Sequence, residues 1–157
     1  VPWIPEDMAS ASIGQSVVQI TPLQLARAYA VFANGGWLVT PHLAKGSTNW
    51  MDGEHRRKVE MKSTTLKTIR EGLRKVVSAG TGFNLNGPGI PPAAGKTGTA
   101  EDSTGGPDHA WFGSYAPYPN GEIVVVAFAQ NTPGGGSVHA LPMAKTVLTA
   151  WNKTRQR

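Results

Sequence analysis

Three runs that read as strands, Ala94–Glu101, His109–Ala116 and Glu122–Gln130, follow one another with turn-forming residues between them. Pro117-Tyr118-Pro119-Asn120-Gly121 ends in Asn-Gly and reads as a hairpin loop, and the series predicts a three-strand antiparallel meander. The last run holds Ile-Val-Val-Val-Ala-Phe-Ala, nearly continuous in apolar residues, so it is expected to be covered on both faces. The first run carries the chemistry: Ala94-Gly95-Lys96-Thr97-Gly98-Thr99-Ala100-Glu101. In an extended segment Thr97 and Thr99 lie on one face. Gly98 between them has no side chain, so a ligand backbone could lie close against the strand. Lys96 supplies a positive charge at the end of that surface.

Three readings of this stretch compete. Gly-Lys-Thr ends the nucleotide-binding P-loop pattern, but Gly89 is followed by five residues before Gly95 where that pattern needs four. A P-loop also opens a helix, which Gly98, the Asp102–Gly106 run and Pro107 would break. A surface turn that happens to carry a lysine is the second reading. The third is the Lys-Thr-Gly element of serine penicillin-recognising enzymes, which accompanies S-x-x-K and S-x-N.

The remaining chain supplies helices. Residues 1–12 are punctuated by Pro2 and Pro5 and read as an extended lead-in. Thr21-Pro22-Leu23-Gln24 is a strong helix start, with Thr21 as cap, Pro22 at the first helical position and Gln24 completing a capping box. Leu25, Tyr29, Phe32 and Ala33 continue it as an apolar stripe, and Asn34-Gly35-Gly36 stops it. Trp37–Thr40 and His55–Met61 read as short strands flanking a polar connection. From Ser63, the residues Leu66, Ile69, Leu73, Val76 and Val77 form a helical stripe, which Gly80-Thr81-Gly82 ends. Residues 84–93 read as loop and 131–137 as a glycine-rich turn. A last helix, begun near Leu141-Pro142, presents Ala144, Leu148 and Trp151 on one side. The fold class is therefore α+β: antiparallel strands with packed helices.

Charge and residue usage narrow the function. The net charge is +5, and eight of the fifteen Lys and Arg lie between Arg56 and Lys75. No aromatic residue is interleaved there to stack on bases, which argues against nucleic acid and for the solvated face of one strand and one helix. The chain has no cysteine, and His42, His55, His109 and His139 lack metal-ligand spacing, so no metal or other cofactor is expected. His109, beside the strand after the motif, could line the substrate groove, and a structural histidine is the favoured reading. Glu101 and Asp102 are adjacent, face opposite ways on a strand, and are given no catalytic role.

Four segments together resemble the class B penicillin-binding proteins. Ser-Ile-Gly-Gln with Thr-Pro-Leu-Gln-Leu-Ala-Arg-Ala-Tyr-Ala is similar to the helix before that family's last motif, and Gly-Lys-Thr-Gly-Thr-Ala-Glu at 95–101 to the motif itself. His109-Ala110-Trp111-Phe112 resembles the strand that follows. Gly-Gly-Ser-Val at 135–138 and Leu-Pro-Met-Ala-Lys at 141–145 resemble the entry to the final helix. The resemblance implies an α/β penicillin-recognising, β-lactamase/transpeptidase-like domain that cross-links peptidoglycan stem peptides through an acyl-enzyme on serine. By the same resemblance Lys96 aids proton transfer and attracts the substrate carboxylate. The Thr97 and Thr99 hydroxyls bind the terminal carboxylate of D-Ala-D-Ala or of a β-lactam. The Thr99 N–H forms half of the oxyanion hole, and Gly98 lets the acyl group lie flat. His-Ala-Trp-Phe and Gly-Gly-Ser-Val lean toward the cell-elongation type.

One departure governs the expectation. No serine has a lysine three positions later, and Ser47-Thr48-Asn49, the one S-x-N, follows the Thr-Pro-Leu-Gln helix where the family's precedes it. Ser16 is a smaller departure, at a position where relatives often carry glycine. Residues 1–157 therefore read as the C-terminal part of a transpeptidase domain, inactive alone. The nucleophile lies in a missing N-terminal part, whose membrane anchor would place the enzyme outside the cytoplasmic membrane. A glycosyltransferase of the cell-wall machinery is the implied partner. A β-lactam sensor, a β-lactamase-like domain or a non-catalytic module of the same fold are the alternatives. Val1 in place of methionine accords with a start elsewhere.

Overall fold

The computed structural model describes residues 4–15, 18–43, 55–102 and 104–155. Ser16 and Ser47-Thr48-Asn49 lie outside them. The meander forms as expected. Strands β3 (Ala94–Ala100), β4 (His109–Ala116) and β5 (Ile123–Ala129) make an antiparallel sheet in the order β3-β4-β5. Its register pairs Lys96 with Gly113, Thr97 with Phe112, Gly98 with Trp111 and Thr99 with Ala110.

Helices cover both faces of this sheet because the side chains alternate. Ala94, Tyr115 and the half-buried Val124 face one way and pack with Tyr29 and Ala33 of α2 (Pro22–Ala33). Ala110, Phe112, Val125 and Ala127 face the other way, onto Ala140, Leu141, Ala144 and Leu148 of α5 (Ala140–Arg155). Trp151, expected beside them, is only half-buried, and Asn152 is the buried residue of the last turn, donating to the Gly89 carbonyl at 3.0 Å. Helix α3 (Ser63–Ala79) runs beside β3 and serves both layers, Leu73 packing with the first cluster and Val77 with the second. A fully buried side chain such as Phe112 or Leu148 contributes about 1.5–3 kcal/mol through water exclusion.

Local signals account for most of the boundaries. Thr21 Oγ1 accepts from the Gln24 N–H at 3.2 Å while Gln24 Oε1 accepts from the Thr21 N–H at 2.7 Å, a complete capping box. Asn34 ends α2 by bonding both the N–H and the carbonyl of Trp37 at 2.8 Å, which turns the chain into β1 (Trp37–Val39). That strand pairs with β2 (Arg56–Lys58), shorter than the run His55–Met61.

Three sequence expectations are corrected. The lead-in expected to be extended contains a helix, α1 (Pro5–Ser12). Pro5 stands at its first position, and the Asp7 carboxylate accepts from the Ile4 N–H at 3.2 Å. A proline there starts a helix rather than preventing one, because its missing N–H is one the first turn leaves unpaired anyway. Residues 131–137 are not simply a turn, since α4 (Gly135–Val138) begins within them, and Phe83–Leu85 form a 3-10 turn at the entry to the loop expected over 84–93. Both are single turns set by tertiary packing, for which no periodic signal exists.

Gly113 explains how α2 approaches the sheet. A Cβ at that position would fall inside the Tyr29 ring, so only glycine lets the ring lie on β4. Burial in turn pushes the Tyr29 phenol up to about 12. The folded state thus favours the neutral phenol. Its contribution is complete below the unfolded value of about 10 and is lost as pH rises from about 10 through 12. We expect urea stability to fall over that interval by about 2 kcal/mol more in the native protein than in Tyr29→Phe. Equal slopes for the two proteins would show that the phenol ionises freely in the fold.

Candidate active site

The motif strand lies at one edge of the sheet, and its hydrogen-bonding groups alternate between β4 and the outside. The Thr97 and Thr99 carbonyls are reached from outside the sheet. Lys96 Nζ donates to Thr97 O at 2.7 Å, and Gln15 Nε2 donates to Thr99 O at 3.2 Å. In a strand the N–H and C=O of one residue point the same way, so the Thr99 N–H also faces outward, away from β4. The backbone therefore offers a donor on the same edge where the Lys96 ammonium sits.

The side chains divide between the two faces as the spacing predicts. Thr97 and Thr99 share the face of Phe112 and Ala110, their register partners, whereas Lys96 and Gly98 share the other with Gly113 and Trp111. The exposed Lys96 side chain curls over the edge to within 3.4 Å of Thr97 Oγ1. Lys96 and Thr97 thus meet at the rim although their Cβ atoms point to opposite faces. Gly98 leaves room against Trp111, whose Cβ would lie 3.2 Å from a side chain placed there.

Three neighbours of the strand lie in segments that the sequence marked as helix-ending or family-like but did not assign to the site. Thr81, just after α3, shares a hydrogen bond of 2.9 Å between its Oγ1 and Thr97 Oγ1. Gly135 and Gly136 bring α4 onto the strand. A Cβ on Gly135 would strike the Thr99 hydroxyl, and one on Gly136 would strike the backbone of Gly98 and Trp111. Gln15 bonds both the Thr99 carbonyl and, through Oε1, the Glu101 N–H at 3.3 Å. The glycine pair carried a physical signal, because successive residues without side chains permit a close backbone approach.

Other candidates resolve into structural roles. His109 Nδ1 accepts from the Asn131 N–H at 3.2 Å and its ring meets Phe128 edge-on at 5.8 Å, which ties the end of β5 to β4. Asp102 accepts from the N–H and hydroxyl of Thr104, and that bonding holds its carboxyl below the usual value. Much of the basic run is engaged. Arg56 and Lys58 stack on Trp37 at 4.6 and 5.0 Å, Arg74 donates to Ala93 O at 2.7 Å, and Arg70 to Asn120 Oδ1 at 3.4 Å. Among the described residues no group of three or more His, Cys, Asp or Glu is placed to hold a metal ion. Two clefts lie away from the strand. One, of about 530 Å³, runs along α5 at Pro142, Lys145 and Thr149, and the other, of about 370 Å³, lies between α3 and Tyr118-Pro119. Neither is lined by Lys96 or Thr99.

Residues 2–149 match the penicillin binding protein transpeptidase domain. The chain belongs to that transpeptidase family. The peptidoglycan D,D-transpeptidase MrdA of Haemophilus influenzae is 34% identical over 94% of this chain. Among solved structures, penicillin-binding protein 2 of Pseudomonas aeruginosa aligns with a TM-score of 0.81 and 33% identity, over 95% of this chain and 34% of that one. A peptidoglycan synthase complex described as coordinating polymerization and crosslinking aligns with a TM-score of 0.75 and 39% identity, over 96% of this chain and 26% of that one. The chain spans 26% of the length of the Haemophilus relative. The α+β architecture is thus that of the penicillin-binding transpeptidase domain. Among the described residues no helix is long and apolar enough to cross a membrane.

The contact of α4 with the strand is open to direct test. Gly136→Ala is expected to destabilise the protein by about 1–3 kcal/mol, since a methyl group would press on the backbone of two strands at once. Hydrogen exchange should then rise first in residues 134–139. An unchanged unfolding midpoint would mean that α4 does not rest on β3.

Proposed function

We propose that this chain is the C-terminal part of the transpeptidase domain of a peptidoglycan D,D-transpeptidase of the elongation type. The observation that carries the reading is the Lys96 ammonium bonded to Thr97 O on the outer edge of β3, the edge toward which strand geometry turns the Thr99 N–H, within a chain of this family. The names of the relatives support the elongation type.

In this reading a serine supplied by the rest of the domain attacks the carbonyl between the two D-alanines of a stem peptide. Its hydroxyl proton passes to a neighbouring base and, as the C–N bond breaks, to the departing D-alanine amine. Charge develops on the carbonyl oxygen, and the Thr99 N–H stabilises it there. A preorganised donor aimed at developing charge is among the largest contributions a site can make. Lys96 adds positive charge that favours the anionic state and attracts the terminal carboxylate, and the Thr97 and Thr99 hydroxyls bind that carboxylate. Gly98 keeps the strand flat enough for the peptide to lie along it. An amine of a second stem peptide then takes the acyl group from the serine. β-Lactams acylate the same serine. The protein acts outside the cytoplasmic membrane, anchored through a segment before this one, with a glycosyltransferase as partner.

The test is acylation by a fluorescent penicillin followed by intact mass. Residues 1–157 alone should form no covalent adduct, and a protein carrying the complete domain should form a stable one-to-one adduct. In that protein Lys96→Ala should slow acylation by about two orders of magnitude. Thr99→Val should keep the fold and the backbone donor while weakening β-lactam binding. An adduct on the 157-residue chain would place the nucleophile within it and overturn the reading. Rapid release of the acyl group would point to a β-lactamase instead.

A further inference from the structure

The glycine-rich segment between β5 and α4 is tied to its surroundings by two histidines. Asn131, just after β5, takes the left-handed conformation at φ 51°. Its N–H donates to His109 Nδ1 at 3.2 Å, and the next N–H, of Thr132, donates to the Asp108 carbonyl at 2.8 Å. At the other end His139 Nε2 bonds Pro133 O at 2.6 Å, and the His139 N–H closes α4 on Gly135 O at 3.3 Å. These bonds set the path by which Gly135 reaches the Thr99 side chain and Gly136 the Gly98 backbone.

The two rings respond oppositely to a proton. Pro133 O can only accept, so His139 Nε2 carries a hydrogen in the neutral and the charged ring alike, and its bond survives acidification. The His109 bond needs a lone pair on Nδ1, which the imidazolium lacks. Protonated His109 turns an N–H toward the Asn131 N–H, and the tie is lost. A charged ring is attracted instead by the Asp102 carboxylate, in the turn between β3 and β4. Of the other neighbours, Asp108 precedes the histidine, Glu101 follows its register partner Ala100, and β5 presents the uncharged ring of Phe128. Histidine is the side chain whose ordinary titration falls between pH 5 and 8. We propose that His109 is a positioning residue for acylation: its neutral imidazole holds Asn131, and through it the glycine pair of α4, against the motif strand, and its protonation releases them. This role rests on the proposed function, because the step it serves is acylation of the complete domain.

The test compares the native complete-domain protein with His109→Asn and His109→Leu between about pH 5.5 and pH 8. Asparagine sets an amide oxygen near the place of Nδ1 and does not titrate, whereas leucine removes the acceptor. On acidification the first-order acylation step with penicillin should slow by about three- to tenfold more in the native protein than in His109→Asn, the scale of one hydrogen bond. At the upper pH His109→Leu should already be slow by a similar factor, and His109→Asn should match the native rate. Amide exchange in residues 134–139, read without substrate and corrected for the intrinsic effect of pH, should quicken on acidification in the native protein and stay level in His109→Asn. One pH profile shared by these two proteins would make the ring a packing element and overturn the proposal. Native exchange in residues 134–139 that ignores pH would do the same, and it decides alone if His109→Asn does not fold. Failure of the native complete-domain protein to acylate would instead count against the proposed function, with exchange still deciding the role of the histidine.

Discussion

The backbone ladder between β3 and β4 is the interaction on which the rest depends. It places seven consecutive residues of β3, Ala94 to Ala100, opposite Tyr115 to His109. A slip of one residue would exchange the two faces, turning Thr97 and Thr99 toward α2 and Lys96 toward α4. Two demands oppose such a slip. Ala94 and Tyr115 must meet Tyr29 on one face, and Phe112 must enter the α5 layer on the other. The core and the site are therefore aligned by the same register.

Missing side chains matter as much as present ones. Gly113 admits the Tyr29 ring, Gly98 leaves room against Trp111, Gly135 lets α4 meet the Thr99 side chain, and Gly136 lets it lie on the backbone of both strands. Gly95 belongs to the same set, since a Cβ there would press on Ser114 and Phe112 at 2.9 and 3.1 Å. The strand that carries the charge is packed at short range through positions that have no side chain.

Strand β5 stands at the opposite edge, and among the described residues it pairs with β4 alone. Its faces are covered as its composition predicted, Val125 and Ala127 packing with the α5 layer and Val124 with the α2 layer.

The sequence by itself determined the elements with strong local chemistry: the capping box at Thr21 and Gln24, the stripe of α3, the three strands and the side-chain alternation at Lys96, Thr97, Gly98 and Thr99. These follow from periodicity and from turn or cap residues within a few positions, so they are legible in one dimension. It misread α1, because a proline followed by acidic residues can begin a helix as readily as interrupt a strand. Tertiary structure alone decided which edge of β3 is free, that Thr81 meets Thr97, that α4 rests on Gly98, and that Gln15 reaches across 84 residues to Thr99. Such contacts join groups far apart in the chain through single hydrogen bonds or bare backbone. They leave no period or spacing in the sequence, and only the packing of helices on both faces of the sheet brings them together.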